Sequence, residues 1–397
     1  MTTTETTPAT GTRAFCELVS GLRATFASGL TRPLAWRLEQ LDAIVRLLRE
    51  RETELLDALH ADLGKPPIEG WASDIGFVVS QVHHMRRNLS RWLAQERVFL
   101  PLKLRPGQAR VVREPLGVVL VIAPWNYPVH LLLLPMAGAI AAGNCVVGKP
   151  SEVTPTVSAT LARLVPEYLD ARAVAVVEGG VPETTTLLEE RFDHIFYTGN
   201  GRVGRVVMAA AARHLTPVTL ELGGKSPAIV HASADLASAA RRIAWGKFLN
   251  AGQTCVAPDY VLVEESVERP LLRELVEAVR HFYGPEPAES PDFARIVSDA
   301  HVARLRRLLL AGGYDEIVTG GIEPAERYVA PTLLRGVSPD AAVMAEEIFG
   351  PILPVLTVRD LAEAVQFVRG RERPLALYVF ARDRAAIERV VAEVPAG

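Results

Sequence analysis

The sequence predicts an α/β protein built on mainly parallel sheets. From residue 114 onward, short runs rich in Val, Ile and Leu alternate with stretches whose apolar residues recur at helical spacing. Runs that are apolar throughout are typical of strands buried on both faces, and helices between such strands are typical of parallel connections. The glycine pair Gly223 and Gly224 interrupts the alternation. We therefore expect two successive α/β halves.

The predicted elements follow from these patterns. In the first half the predicted strands are 117–123, 145–148, 173–178, 194–198 and 217–222, and the predicted helices are 128–142, 156–169, 182–189 and 202–214. In the second half the predicted strands are 260–263, 316–320, 330–334, 352–358 and 375–380, and the predicted helices are 236–248, 270–282, 300–311, 361–369 and 384–394.

The first third of the chain has a different character. Residues 34–63 and 71–93 carry apolar side chains at helical spacing and predict two long amphipathic helices. In 99–113, prolines and a glycine separate two short extended pieces, which we interpret as a hairpin or arm. The Thr-rich, nearly uncharged stretch 1–12 predicts a disordered tail and lacks the basic start of a signal peptide.

Composition limits the classes of function. The 397 residues are 49% hydrophobic and 22% charged, as in globular proteins with a large core. A net charge of −3 without a Lys/Arg block argues against a nucleic-acid partner. The cysteines Cys16, Cys145 and Cys255 form no C-x-x-C pair, so we expect no zinc site and a reducing, cytoplasmic location. The most apolar run, 129–142, contains Pro135 and is too short to span a membrane.

A G-x-G-x-x-G string occupies 199–204, between a predicted strand and a predicted helix. In this context the glycines allow a pyrophosphate to approach the backbone, and the helix N-terminus favours the anion. Glu221 would then be the acid that binds ribose hydroxyls. The residues leave a second interpretation open, a Gly-rich turn without a ligand. This unit also comes fourth rather than first, and Glu221 lies beside its own glycine pair.

Three other stretches carry candidate chemistry. Cys255 lies in a turn-like run that holds Gly and Pro, where a thiol is either a nucleophile or a small buried side chain. Asn126 stands between two aromatic residues and two prolines after the first strand, a suitable place for a rigid oxyanion donor. Lys149 and Glu152 follow the second strand, where either can face a ribose or solvent.

These stretches resemble the successive signatures of the NAD(P)-dependent aldehyde dehydrogenase superfamily, in the same order. The resembling stretches are 124–128, 143–152, 197–204, 216–227, 250–259 and 346–351. The amino-acid sequence of 214–227 and 252–263 is most similar to that of the class 3 branch, whose members act on fatty and aromatic aldehydes. The resemblance covers the chain from about residue 34 to its end.

The resemblance implies an aldehyde-dehydrogenase-like fold of two Rossmann-like α/β domains and a small bridging β arm. By resemblance, 13–98 with 114–222 form the cofactor domain, 223–397 the catalytic domain, and 99–113 an arm that supports a homodimer. It implies catalytic roles for Cys255 as nucleophile, Glu221 as the base that activates water, and Asn126 as oxyanion donor. It implies that the cofactor, NAD or NADP, is held by Trp125, Lys149, Glu152, Gly199, Gly204, Glu347 and Phe349, with no metal.

The implied reaction oxidises an aldehyde to a carboxylic acid through a cysteine thiohemiacetal and a thioester that water hydrolyses. Two alternatives stay open. CoA-acylating relatives pass the acyl group to CoA, but they generally lack the carboxylate that matches Glu221. The family pattern also continues beyond 384–394, so we expect a truncated catalytic domain, and a weak or inactive nucleotide-binding remnant is the second alternative. The sequence leaves open which aldehyde is used and whether NAD or NADP is preferred.

Three positions depart from the family pattern. Cys145 and Gly148 replace other apolar residues, which we interpret as packing changes. Asn200 stands in the phosphate turn where a small hydroxyl residue is usual, so we expect an effect on cofactor affinity.

Overall fold

The computed structural model describes residues 9–321 and 326–397, with side chains from residue 13 onward. The chain folds into two compact units. The first comprises the described residues up to Ala58 together with Gly70–Glu221, and the second comprises Leu59–Glu69 and Leu222–Gly397.

The helices and strands are numbered in chain order. The helices are α1 Ala9–Ala27, α2 Leu34–Glu50, α3 Glu52–Leu63, α4 Pro67–Gly70, α5 Phe77–Trp92, α6 His130–Ala142, α7 Pro155–Tyr168, α8 Val181–Leu187, α9 Gly201–Ala212, α10 Leu236–Phe248, α11 Glu268–Tyr283, α12 Asp299–Leu310, α13 Ala342–Ala345, α14 Leu361–Arg369 and α15 Arg384–Glu393. The strands are β1 Glu96–Val98, β2 Ala109–Val111, β3 Val118–Ile122, β4 Cys145–Lys149, β5 Val174–Val176, β6 His194–Gly199, β7 Val218–Leu222, β8 Pro227–Val230, β9 Tyr260–Glu264, β10 Glu316–Thr319, β11 Thr332–Arg335, β12 Ile352–Val358 and β13 Tyr378–Phe380. A π-helical segment covers Trp71–Gly76, and 3₁₀ turns cover Leu102–Leu104, Leu249–Gly252 and Glu265–Val267.

The sheet of the first unit has the order β5-β4-β3-β6-β7. β3 pairs in parallel with β4 and β6, and β4 pairs in parallel with β5. Every residue of β3 and β4 is buried, as continuous apolar strands predict. The chain order reverses on the two sides of β3, which makes the β3–β6 edge the topological switch point of the sheet.

The sheet of the second unit has the order β10-β11-β12-β9-β8-β13, and only the β10–β11 pair is antiparallel among its recorded pairings. Strand β8, between β9 and the edge strand β13, is completely buried and was not predicted. It has four residues and begins with Pro227 directly after a Gly-Gly-Lys-Ser run, so its sequence looks like the end of a loop. An apolar run this short cannot be assigned by periodicity.

The hairpin of the first unit differs in position from the expected arm. β1 pairs antiparallel with β2, Glu96 opposite Val111 and Val98 opposite Ala109, so its first strand precedes the predicted range 99–113. The Glu-Arg-Val sequence of β1 is exposed throughout and has no apolar alternation that could reveal a strand.

Two expectations for the N-terminal third are corrected. Of the predicted tail 1–12, residues 1–8 lie outside the described residues, but α1 begins at Ala9 and packs Val19 and Leu22 into the core. The predicted helix 34–63 is two helices that meet at Arg51, where φ is −113°. No Gly or Pro marks this break, and backbone hydrogen bonds from Arg51 to Leu47 and from Leu55 to Arg51 continue across it. None of the described helices has both the length and the apolar character needed to cross a membrane.

Candidate active site

In the first unit, three predicted site stretches follow the carboxyl ends of neighbouring strands. Residues 124–128 follow β3, Lys149 ends β4, and Gly199 ends β6. Because β3 lies between β4 and β6, these ends meet at the switch point, where open parallel sheets bind their ligands. The sheet order therefore gathers the candidate cofactor residues at one edge.

Asn126 is buried in the connection between β3 and α6. The start of α6 is held by Asp74, whose Oδ1 accepts hydrogen bonds from the backbone N–H groups of Val129 and His130, both at 3.2 Å. Asp74 is itself completely buried. This anchoring fixes one end of the loop that carries Asn126, and Trp125 lies partly exposed beside it.

Asp74 was not predicted as a functional residue. It lies in the π-helical segment Trp71–Gly76, and the sequence predicted a regular helix there. π-Helical turns inside α-helices often occur at functional sites, but their sequences carry no distinct periodicity.

Lys149 is buried at the end of β4, and its ammonium donates to the carbonyl of Pro150 at 2.8 Å and to Glu152 Oε2 at 3.1 Å. The Glu152 carboxylate is about half exposed. A lysine in this position is a point charge with three donors, which suits ribose hydroxyls or a phosphate oxygen. The structure thus brings these two predicted residues together as an ion pair.

The turn after β6 requires glycine at Gly199. A Cβ atom there would lie 2.2 Å from the hydroxyl oxygen of Tyr197, and that hydroxyl donates to the carbonyl of Asn200 at 3.2 Å. Burial raises the pKa of Tyr197 to about 12, so it stays a hydrogen-bond donor at neutral pH. The absence of a side chain at Gly199 leaves its backbone free for close approach, as a pyrophosphate site needs.

Asn200 is the N-cap of α9, where its side-chain oxygen accepts a hydrogen bond from the N–H of Val203 at 3.0 Å. Asparagine is among the best N-cap residues, so the departure from a hydroxyl residue preserves the start of the helix. Gly204 is buried in the first turn of α9. At Gly201 a Cβ would make only an ordinary contact with Arg205, so this glycine has no steric requirement.

Glu221 lies in β7 at the end of the first unit and is exposed. A water molecule can therefore reach this residue, and a carboxylate within hydrogen-bond reach of a water can take its proton.

The cysteines have different environments. Cys16 is exposed on α1, and Cys255 is partly buried. Cys145 is completely buried in β4, and burial raises the pKa of its thiol to about 12. A thiol that stays protonated at neutral pH is a poor nucleophile, so Cys145 is a packing residue. The neighbouring Gly148 leaves room for Met136, whose sulfur would lie 2.6 Å from an added Cβ.

In the second unit, the chain before Cys255 is strained. Asn250 and Ala251 have φ values of 53° and 50°, in the left-handed region that non-glycine residues rarely occupy. Gly252 follows with φ 76°, and a Cβ there would lie 2.3 Å from the carbonyl oxygen of Gly350. Strain of this kind persists only where the surroundings enforce it, and it concentrates at functional sites.

Gln253 enforces this conformation. Its side chain is completely buried, and its Nε2 donates to the carbonyls of Asn250 at 2.9 Å and Arg295 at 3.0 Å. Its Oε1 accepts from the N–H of Val297 at 2.9 Å. The amide thus ties the turn before Cys255 to a distant loop, a role that the sequence did not reveal.

Tyr378 in β13 holds the other side of the cysteine. Its hydroxyl donates to the carbonyl of Val256, and its phenol has a raised pKa, first because of burial and second because of the charge of a Cys255 thiolate. Tyr378 was not predicted as a site residue, because it occurs in an ordinary apolar strand.

Glu347 is held by the glycine pair that separates the two predicted halves. The backbone N–H of Gly224 donates to its carboxylate, and a Cβ at Gly223 would lie 2.2 Å from Glu347 Oε2. Burial, and next the charge of Asp259, raise the pKa of Glu347 to about 7, while Lys225 and Lys247 oppose this shift. Its carboxyl therefore titrates in the physiological range.

An ion pair fixes the loop that carries Glu347. Lys225 forms an ion pair with Asp259 and donates to the carbonyls of Val343 at 2.8 Å and Glu346 at 2.9 Å. Asp259 in turn accepts from the N–H of Ile348 at 3.0 Å. Next in this loop, Phe349 adopts a left-handed φ of 46°. The predicted cofactor residues Glu347 and Phe349 thus lie on an enforced backbone.

The residues of the first unit fit a nicotinamide dinucleotide. The glycine turn at Gly199, the N-terminus of α9 and the buried ammonium of Lys149 offer donors and positive charge for a pyrophosphate and a ribose. Among the described residues, no cluster of His, Cys, Asp and Glu has the arrangement of a metal site.

The pattern of the Aldehyde dehydrogenase family matches residues 3–397. The chain belongs to the aldehyde dehydrogenase family. A dimeric NADP-preferring aldehyde dehydrogenase of Canis lupus familiaris is 47% identical, over 96% of this chain and 84% of its own length. Aldehyde dehydrogenase family 3 member A2 of Mus musculus is 48% identical, over 95% of this chain and 77% of its own.

Solved structures agree in fold. The substrate-bound state of Staphylococcus aureus AldH has a TM-score of 0.93 at 45% identity and covers 96% of this chain and 83% of its own. The P. syringae indole-3-acetaldehyde dehydrogenase AldA, in complex with NAD+, has a TM-score of 0.90 at 29% identity, covering 97% and 80%.

This aldehyde dehydrogenase oxidises aldehydes to carboxylic acids with NAD(P)+ as hydride acceptor, through the cysteine chemistry of its family. The predictions of family, fold class, enzyme class and cofactor are confirmed. The predicted site residues are divided between the two units. Trp125, Asn126, Lys149, Glu152, Gly199, Gly204 and Glu221 belong to the first unit, and Cys255, Glu347 and Phe349 belong to the second.

Proposed function

We propose that Cys255 is the nucleophile of this aldehyde dehydrogenase. The proposal rests on the conformation of the turn that holds Cys255. Hydrogen bonds of Gln253 fix this turn on one side, and a hydrogen bond of Tyr378 fixes it on the other. The thiolate adds to the aldehyde carbon and gives a thiohemiacetal, and NAD(P)+, when bound, supplies the acceptor for the hydride that leaves this carbon. The product on the sulfur is a thioester, in which the aldehyde carbon has been oxidised.

The oxyanion of the thiohemiacetal needs fixed donors, and we assign these to the amide of Asn126 and the backbone N–H of Cys255. The burial of Asn126 and the anchoring of its loop by Asp74 support this role, because a donor contributes most when it does not have to reorganise.

Glu221 is the base that activates the water for thioester hydrolysis. Its exposed carboxylate supports the role, since it takes a proton from water and returns it to solvent. Hydrolysis of the thioester needs a base that activates water, whereas CoA-acylating relatives generally lack the matching carboxylate. The presence of Glu221 therefore favours hydrolysis over acyl transfer to CoA.

The cofactor lies along Lys149, Glu152, Gly199, Gly204, Glu347, Phe349 and Trp125, with the ribose hydroxyls at Lys149 and Glu347. The Glu152–Lys149 ion pair neutralises part of the Glu152 charge, so a 2′-phosphate is tolerated and both NAD+ and NADP+ are used. In this proposal 13–98 with 114–222 form the cofactor domain and 223–397 the catalytic domain. The class 3-like stretches support fatty or aromatic aldehydes as substrates.

The assembly proposed is a homodimer that uses the hairpin of residues 96–111. Its turn exposes apolar side chains, Phe99 at 81% and Leu102 at 82%, with Leu104 also exposed. Contiguous apolar side chains on a surface are typical of an interface. The three free cysteines support a reducing compartment, the cytoplasm.

The test is to incubate the purified chain with NAD+ or NADP+ and a panel of aliphatic and aromatic aldehydes, and to follow the reduced cofactor. We expect steady turnover without CoA. The Glu221→Gln variant is expected to make the acyl-enzyme once and then stall. Full turnover of Glu221→Gln without CoA would show that Glu221 is not the base, and turnover of the wild type only with CoA would identify acyl transfer.

A further inference from the structure

Arg304 in the middle of α12 has no role in the chemistry described so far. Its guanidinium donates to Glu346 Oε1 at 3.1 Å, to the carbonyl of Glu347 at 3.3 Å and to the carbonyl of Ile348. Three successive residues of the loop that carries the candidate cofactor residues thus share one side chain. An arginine that binds backbone carbonyls in this way fixes the path of the chain.

The peptide group between Glu347 and Ile348 is held at both of its polar atoms. Its carbonyl accepts from Arg304, and its N–H donates to Asp259 Oδ1 at 3.0 Å. The carbonyl of the next peptide group, between Ile348 and Phe349, also accepts from Arg304. Because peptide groups are planar, two that are fixed in succession leave little freedom of rotation at the residue between them. The side chains on either side of Ile348 are therefore directed by these contacts.

The end of this loop packs against the same turn of α12. A Cβ at Gly350 would lie 2.5 Å from Cδ2 of Leu305, the residue that follows Arg304. The carbonyl oxygen of Gly350 also lies close to Gly252, where a Cβ would be 2.3 Å from it, in the turn before Cys255. The loop held by α12 therefore lies against the backbone that leads to the proposed nucleophile.

We propose that Arg304 is a positioning residue for the cofactor, because it holds the backbone that presents Glu347 and Phe349. The proposal rests on the proposed cofactor roles of these two residues. Phe349 has a left-handed φ of 46°, and a non-glycine residue keeps such a conformation where its surroundings enforce it. Loss of Arg304 lets the loop relax, so that both cofactor residues move together.

The bonds to the carbonyls carry this role rather than the ion pair with Glu346. The Glu346 side chain is 55% exposed, and an ion pair in contact with solvent contributes little. The two carbonyls of Glu347 and Ile348 need two donors in a fixed geometry, which a guanidinium provides and a single ammonium provides in part. We therefore expect Glu346→Gln to change cofactor affinity very little and Arg304→Lys to retain part of it.

The experiment measures the dissociation constant of NAD+ by calorimetry in the absence of aldehyde. Arg304→Met is expected to raise this constant by about tenfold, because hydrogen bonds from a charged donor to buried carbonyls are lost. Arg304→Lys is expected to raise it by about threefold, since one of the carbonyls keeps a donor. An unchanged constant in Arg304→Met, or a loss in Glu346→Gln as large as in Arg304→Met, would overturn the proposal.

Arg335→Met is the matched control for a general loss of stability. Arg335 lies in the same unit, has 28% of its side chain exposed against 23% for Arg304, and donates to Glu268 at 3.1 and 3.3 Å. We expect its loss to lower the melting temperature and leave the affinity for NAD+ unchanged. Equal weakening of NAD+ binding in both Met variants would show that Arg304 has no specific role. If Arg304→Met does not fold, Arg304→Lys is compared with Arg335→Lys in the same way.

Variants of the cofactor residues separate this proposal from the one on which it rests. Glu347→Gln removes the carboxylate but keeps the carbonyl that Arg304 binds, and Phe349→Ala removes the ring. Unchanged NAD+ affinity in both variants would remove the proposed cofactor role of the loop itself. If these variants weaken NAD+ binding but Arg304→Met does not, the inference about Arg304 is wrong and the proposed function stands.

Discussion

The turn at 199–204 and the turn at 249–255 are fixed in different ways. The first depends on its own residues: Asn200 caps α9 locally, and Gly199 avoids a clash with Tyr197, two positions away. The second depends on distant partners, since Gln253 binds the carbonyl of Arg295 and the N–H of Val297. A turn that is fixed locally can be recognised in the sequence and tolerates local change. A turn that is fixed through long-range contacts cannot be recognised in the sequence and does not tolerate local change.

The largest expected effect separates Cys255 from the other cysteines. Cys255→Ala is expected to lower kcat by on the order of 10⁴-fold or more, because covalent catalysis is lost. The matched controls are Cys16→Ala, which changes an exposed side chain, and Cys145→Ala, which removes a buried one. Both are expected to keep turnover, measured as reduced cofactor, although Cys145→Ala lowers stability.

Gln253→Ala tests the long-range fixation. It removes three hydrogen bonds and leaves buried backbone groups unsatisfied, so we expect the free energy of unfolding to fall by about 2–4 kcal/mol. We also expect kcat to fall while KM for the aldehyde changes by a smaller factor, because the backbone that carries Cys255 relaxes. Urea unfolding and steady-state rates measure both. A kcat that stays at the wild-type value would contradict the assignment of Gln253 to the turn.

The pKa of Glu347 makes stability depend on pH. The folded value of about 7 is raised from 4.5, so protonation favours the folded state. This contribution is present in full below about pH 4.5 and is lost as the pH rises through 7. Relative to Glu347→Gln, the wild type should lose on the order of 2–3 kcal/mol across this range, measured by urea unfolding at several pH values. Parallel pH curves for the two proteins would contradict the raised pKa.

The smallest expected effect belongs to the locally fixed turn. Asn200→Ala removes the N-cap of α9 and should cost about 1 kcal/mol, whereas Asn200→Ser keeps a capping oxygen and should cost much less. Thermal unfolding measures the difference, and the dissociation constant of NAD+ reports any effect on the turn. If both variants lose the same stability, the side-chain cap does not fix this turn.

Local signals account for most of what the sequence revealed. The bounds of α10, α14 and β12 match the predictions because apolar periodicity and N-cap residues such as Asp235 and Asp360 mark them. The five strands of the larger sheet in the first unit were all anticipated, since apolar runs separated by helical patterns mark them, whereas the exposed strand β1 of the hairpin was not. β8 was missed because its four residues are too few to show a pattern.

The supporting residues of the site could not be predicted in the same way. Gln253 and Tyr378 act through partners more than forty residues away in sequence. Arg304 occupies a helical position that in sequence resembles a solvated charge, and only the packing of α12 reveals its contacts with the loop at 346–348. Asp74 depends on a π-helical turn, which shifts the side chain relative to a regular helix. The residues proposed to react were visible in the sequence through family signatures, but the residues that hold them were not.

The central claim is that the acyl group is carried on Cys255. The most direct measurement is intact-protein and peptide mass spectrometry of Glu221→Gln after incubation with NAD+ and an aldehyde. The account predicts one acyl group per chain, located on the peptide that contains Cys255, with Cys16 and Cys145 unmodified. An unmodified Cys255 peptide with one equivalent of reduced cofactor formed, or an acyl group on another cysteine, would contradict it.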